Sequence, residues 1–119
     1  RDYLVLCHGW LHPERQQVRA RVHWWSTGQN TPSAVVPAGR PSLTQLKTLA
    51  RATHSGEALS LVAIRLGTGR RHQIRVHTAH IGHPTVCDGK YSSAATQLAD
   101  LDFCPRVFLH RYRLAFFAP

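Results

Sequence analysis

The chain opens on alternating positions. In residues 1–8 (RDYLVLCH), Tyr3, Val5 and Cys7 fall on one side and Leu4, Leu6 and His8 on the other. That pattern, with its branched and aromatic content, predicts a strand covered on both faces, ended by Gly9. Such a strand needs a neighbour on each edge, and one of them is expected from a segment upstream. Val18, Ala20, Val22 and Trp24 alternate with Arg19, Arg21, His23 and Trp25, again as a strand. Residues 26–41 are rich in Gly, Pro, Ser, Thr and Asn and predict a loop. The Trp24–Trp25 pair is expected to fill core, although tryptophans can also stack on bases. Residues 41–53 fit two patterns. Leu43, Leu46, Leu49 and Ala50 suit a helix after a Pro-Ser start, whereas Leu46, Thr48, Ala50 and Ala52 suit one face of a strand; periodicity slightly favours the helix. A turn follows at residues 54–57, and residues 58–66 (ALSLVAIRL) form a near-continuous apolar strand.

That strand delivers the chain to residues 66–91, LGTGRRHQIRVHTAHIGHPTVCDGKY, around which the rest is organised. Gly67 and Gly69 flank Thr68 in a tight turn. A helix is predicted to start near Arg70 or Arg71 and to stop at Gly82, with Pro84 shortly after. Ile74, Thr78 and Ile81 share one helix face, and Arg71 and Arg75 lie one turn apart on the next. The amides of a helix start favour phosphate or carboxylate, and arginine pairs with both in bidentate fashion. The same arginines would also make an ordinary solvated helix face, and spacing alone does not separate the two. Residues 92–105 read as a connection with a short helix near 94–101. Residues 106–117 (RVFLHRYRLAFF) alternate once more as a closing strand.

Charge narrows the partner. Fifteen lysines and arginines stand against six acids, giving +9 over 119 residues with neutral histidines. The charge is spread along the chain, which points to a polyanion, usually nucleic acid. At 43% hydrophobic, the chain can build one small core, and it has no apolar run long enough to span a membrane. Cys7, Cys87 and Cys104 make an odd number without a Cys-x-x-Cys pair, so an intracellular, reducing compartment is expected. The chain lacks methionine, which suggests a fragment or a processed piece. His72, His77, His80, His83 and Cys87 crowd one stretch, but the histidines fall on different helix faces and no metal is expected there. Nothing around Cys87 marks an activated thiol, and Gly-Thr-Gly followed by His72 is no dinucleotide fingerprint.

The motifs themselves are familiar. Thr68-Gly69-Arg70-Arg71-His72-Gln73-Ile74-Arg75-Val76-His77, then Gly82-His83-Pro84, then residues 88–91 resemble the RluA-type branch of the RNA pseudouridine synthases, which carries T-G-R-x-H-Q-I-R-x-H, G-H-P and G-D-x-x-Y. Residues 1–9 look like that family's K-x-Y-x-A-x-V-x-G strand, and residues 109–116 like its final strand. The resemblance covers nearly the whole chain, as the C-terminal part of a catalytic domain. It implies an α+β fold: a mixed, mostly antiparallel sheet with flanking helices and loops. It also makes residues 45–52 a strand, against the periodicity.

The reaction implied is isomerisation of uridine to pseudouridine in RNA, ribosomal or transfer, without metal or small-molecule cofactor. By position, Tyr3 takes the role of the tyrosine that contacts the base, a candidate general base, and Arg75 that of the arginine paired with the nucleophilic aspartate. Arg70, Arg71, His72 and Gln73 are expected to support the site or hold RNA. Asp88 looks like a turn carboxylate. The nucleophile motif, H-R-L-D-x-x-T-S-G, is absent, and Cys87 replaces the glycine before Asp88. The N-terminal half is therefore expected to be missing from this chain and to be a further partner of it, and the chain alone to be inactive. The alternative is a non-catalytic RNA-binding relative in a ribosome-like assembly.

Overall fold

The computed structural model describes residues 2–25, 32–70, 72–104 and 106–111. Its centre is a long hairpin. Strands β5 (Leu43–His54) and β6 (Glu57–Leu66) pair antiparallel across Ser55 and Gly56, whose φ angles of 51° and 79° suit the tight hairpin turn that matches strand twist. Residues 43–54 are thus a strand, as the resemblance implied and the helical periodicity did not. The apolar strand β6 decides the matter, because β5 supplies the backbone partners that β6 needs on that edge.

β1 (Asp2–His8) pairs with the other edge of β6, and β7 (Leu109–Arg111) pairs with β1 at Tyr3–Val5. β2 (Gln17–Arg19) closes the far side, giving the order β2-β5-β6-β1-β7. β1 therefore finds both neighbours within this chain, and the upstream strand expected for it is not required. Thr85 and Val86 extend the same edge, where Val86 N–H donates to Leu6 C=O. A separate small ribbon joins β3 (Val22–His23) to β4 (Ala34–Val35), and all described pairings are antiparallel. The predicted closing strand is seen at residues 109–111; residues 112–117 lie outside the described residues, as do 26–31 of the predicted loop.

The pleat sorts side chains between two cores. Val5, Cys7, Val62, Ile64 and Leu46 share one face and pack with Leu11, Val18 and Ile74. Ile74 belongs to helix α1 (Gln73–His80), which places that helix on this face. On the other face Leu59 packs with Val86, Cys87 and Cys104, and Leu6 and Phe108 border them. Helix α2 (Ala94–Asp100), capped by the Ser93 side chain, lies in the segment that builds this second layer. The tryptophans do not fill core. Trp25 is 40% exposed, and the half-buried Trp24 carries the Arg40 guanidinium at 5.6 Å from its ring centroid. Both sit on or beside the short β3–β4 ribbon, which is too small to enclose an indole.

Candidate active site

The loop before α1 is built around one amide side chain. Gln73 is 2% exposed. Its Oε1 accepts from the Thr68 hydroxyl at 2.7 Å and the Arg70 N–H at 3.0 Å, while Nε2 donates to Leu43 C=O at 2.8 Å and Thr44 Oγ1 at 3.0 Å. The side chain thus ties the Gly-Thr-Gly turn to β5. Thr68 Oγ1 also accepts from the Leu43 N–H. Gln73, expected on the RNA side, is a structural residue here: its amide is directed inward and fully bonded, as a buried amide must be.

The helix begins at Gln73, later than the expected Arg70 or Arg71, because His72 stands in the left-handed region at φ 54°. Arg70 therefore belongs to the turn, with Nη2 donating to Pro41 C=O at 2.9 Å. Arg71 lies outside the described residues. At the other end the helix stops as predicted. Gly82 (φ 84°) donates to Ala79 C=O and His83 to Thr78 C=O, the paired bonds of a left-handed helix stop.

His77 lies on the buried side of α1 at 0% exposure. Its Nε2–H donates to Ala20 C=O at 3.0 Å. Its Nδ1 faces Thr44 Oγ1 at 2.8 Å, and Thr44 in turn accepts from Gln73. Desolvation pushes the His77 pKa below its ordinary value; the Ala20 bond opposes that and nearby His80 adds to it. The other residues weighed for a metal go elsewhere: His83 Nδ1–H donates to His8 C=O, and Cys87 sits in the second core cluster.

Arg75 projects from α1 toward a carboxylate within this chain, Asp88. Its Nε donates to Asp88 Oδ2 at 2.8 Å and its Nη2 to Asp88 Oδ1 at 2.7 Å. The Asp88 side chain is fully buried and that of Arg75 is 17% exposed. Hydrogen bonding to Asp88 raises the Arg75 pKa; desolvation opposes this, and the charges of Asp88 and Tyr91 add to it. Asp88 is also the turn carboxylate expected of it, since Oδ1 accepts the N–H groups of Lys90 and Tyr91. Locked on four donors and closed to solvent, it is in no position to attack a substrate. The Arg75 carbon Cζ lies 5.3 Å from the Tyr91 ring centroid, a cation–π contact. The Tyr91 hydroxyl accepts from Ser33 N–H and meets His72 Nδ1 at 3.0 Å. Cys87, which stands where the family motif has glycine, is left-handed at φ 61°.

These parts converge. A cavity of about 280 Å³ is lined by Tyr3, Arg70, His72, Gln73, Ile74 and Arg75, with Leu66, Gly69, Val107 and Leu109 around them. Tyr3 reaches it from β1, half-buried against the main core. Both residues given catalytic roles by position, Tyr3 and Arg75, therefore face one space, with three of the expected RNA contacts, Arg70, His72 and Gln73, on its wall. Among the described residues no carboxylate lines it: Asp2 pairs with Arg65, Asp88 with Arg75 and Asp100 with His8. Sequence reasoning missed Asp88 as the arginine's clamp and Tyr91 as its platform. The signal was present in the D-x-x-Y spacing of residues 88–91, which entered the family resemblance while Asp88 itself read as a turn carboxylate.

Comparison with known proteins shows the family of the chain. The family model described as RNA pseudouridylate synthase matches residues 1–80. The bovine RNA pseudouridylate synthase domain-containing protein 1 is 33% identical over 118 residues, covering 94% of this chain and 37% of its own length. An RNA pseudouridine synthase of Bacillus subtilis, itself uncharacterised, is 34% identical over 98 residues, covering 82% of this chain and 32% of its own. Among solved structures, human RNA pseudouridylate synthase domain containing 1 superimposes with a TM-score of 0.77 at 30% identity, over 92% of this chain and 46% of that one. The chain thus spans about a third of the curated relatives and under half of the solved structure.

Proposed function

The chain belongs to the RNA pseudouridylate synthase family, in its RluA-type branch, and from that membership and the shape of the Tyr3–Arg75 pocket we propose that the protein isomerises uridine to pseudouridine in RNA. The reaction breaks the bond from ribose carbon 1′ to base nitrogen 1 and makes one to base carbon 5; the proton lost at carbon 5 balances the one gained at nitrogen 1. Nothing is consumed, so no cofactor is required by the chemistry. The single observation that carries the reading is that Tyr3 and Arg75, from distant parts of the chain, line one pocket.

In this reading the Tyr3 ring lies against uracil and its hydroxyl moves the proton. The Asp88 clamp fixes the Arg75 guanidinium by Nε and Nη2. That leaves Nη1 to pair with the nucleophilic aspartate, which a segment beyond these 119 residues supplies. Arg70, Arg71 and His72 hold the RNA, ribosomal or transfer. Three unpaired, buried cysteines support a reducing compartment.

The test is pseudouridine formation on cellular RNA by the full-length protein, read by mass spectrometry of nucleosides. Tyr3→Phe should slow turnover on the order of 10²–10⁴-fold, the usual contribution of a positioned proton-transfer group, with RNA affinity kept. The 119-residue chain alone should form none. Product from the isolated chain removes the external nucleophile, and RNA bound by the full-length protein without any product makes the protein a binder.

A further inference from the structure

Arg70 stands between two cavities. On one side is the Tyr3–Arg75 pocket; on the other is a more open cleft of about 350 Å³ lined by Arg19, Arg21, Pro41, Ser42, Leu43 and Thr68. Hydrogen bonds tie the lining of one to that of the other. Arg70 Nη2 is bonded to Pro41 C=O, Thr68 Oγ1 to Leu43 N–H, and Gly69, next to Thr68, already faces the first pocket.

The cleft is made for an anion. Arg19 sits on β2 opposite Leu43 of β5, and among the described residues its side chain makes no hydrogen bond or ion pair. Arg21 is already oriented, with Nη1 donating to Gly39 C=O at 3.0 Å. Among the described residues no carboxylate lines the cleft, so neither guanidinium is neutralised there. Two planar cations and no acid, one cavity away from a nucleotide pocket, suit a phosphodiester, which arginine grips without reading sequence.

We infer that this cleft holds a backbone phosphate of the same RNA strand that places its uridine in the Tyr3–Arg75 pocket. The strand crosses Arg70, turning its base into the first pocket and its neighbouring phosphate onto Arg19 and Arg21. The inference rests on the RNA reading of the pocket and extends it to a phosphate subsite on β2.

The test uses the full-length protein and single-stranded oligouridylate, with binding followed by anisotropy across a salt series. The Arg19→Ala/Arg21→Ala variant should bind more weakly, and its log-affinity against log-salt line should be shallower by about 0.7, the value for one phosphate contact on a single strand. Arg19→Lys/Arg21→Lys should keep the wild-type slope. If loss of the Gly39 bond unfolds the double variant, Arg19→Glu alone keeps the test: it should melt like wild type and lose about 0.7 of slope. An unchanged slope and affinity in folded variants overturns the cleft, as does a wild-type protein that does not bind oligouridylate at low salt. Pseudouridine formation is scored apart: wild-type protein that forms none while the arginine variants lose binding sinks the enzymatic reading and leaves the cleft standing.

Discussion

Replacing Asp88 by alanine removes the one anion that Arg75 pairs with in the described residues. The carboxylate is fully buried and takes four donors: Arg75 Nε at 2.8 Å and Nη2 at 2.7 Å, Lys90 N–H at 3.1 Å and Tyr91 N–H at 3.2 Å. Alanine leaves an arginine whose side chain is only 17% exposed without a counter-charge, and two turn amides without an acceptor. Breaking a buried ion pair from one side costs about 3–5 kcal/mol, so the loss should fall in that range. That is a large part of the roughly 5–15 kcal/mol that holds a domain together. Urea denaturation of the full-length protein, followed by tryptophan fluorescence, measures it. With a slope of about 1–3 kcal/mol per molar, the midpoint should drop by at least about 1 M at unchanged slope. The double variant Asp88→Asn/Arg75→Gln, which removes both charges, should recover part of the loss, because no lone charge is then buried. A midpoint within about 0.3 M of wild type for Asp88→Ala, equivalent to under 1 kcal/mol, would mean that the pair behaves as a screened surface contact, and the clamp on Arg75 would fall with it.

Three further outcomes follow from buried groups. His77 is held neutral, with its folded pKa below the ordinary 6.5, so the folded state binds fewer protons than the unfolded one. Its stability contribution is complete above pH 6.5 and is lost as pH falls toward the depressed folded value; His77→Gln should flatten the melting temperature across that window relative to wild type. Gln73→Leu should cost about 2–4 kcal/mol in chemical denaturation, since it strands buried partners on both the turn and β5; a loss below about 1 kcal/mol would show that the turn stands without the amide. Burial pushes the Cys7 thiol up to about 12, so mass-mapped alkylation at pH 8 should leave Cys7 unmodified until denaturant is added, and rapid native labelling would contradict its place in the core.

Much of the fold was legible because it is periodic. The alternation of residues 2–8, the apolar run of residues 58–66 and the glycine stop at Gly82 each depend on neighbours within a few residues, and each element formed where that local pattern put it. β5 shows where local pattern ends. Its leucines satisfy a helical spacing as well as a strand spacing, and only the unpaired edge of β6 chooses between them. Trp25 is exposed for the converse reason: residue type favours burial, but the two-residue strands beside it offer too little surface to bury against.

By itself, the sequence determined the family and the strand–turn–helix order around residues 66–82, and singled out Tyr3 and Arg75 as candidates, because these are carried by residue types at fixed local spacing. Only the tertiary structure decided which way the polar groups face. It turned Gln73 inward onto β5, set Asp88 against Nε and Nη2 of Arg75, and brought Tyr3 of β1 to the same cavity as a helix some seventy residues later. Those outcomes are long-range, since a buried donor takes whichever acceptor the packed chain brings within about 3 Å, and no local spacing records that choice.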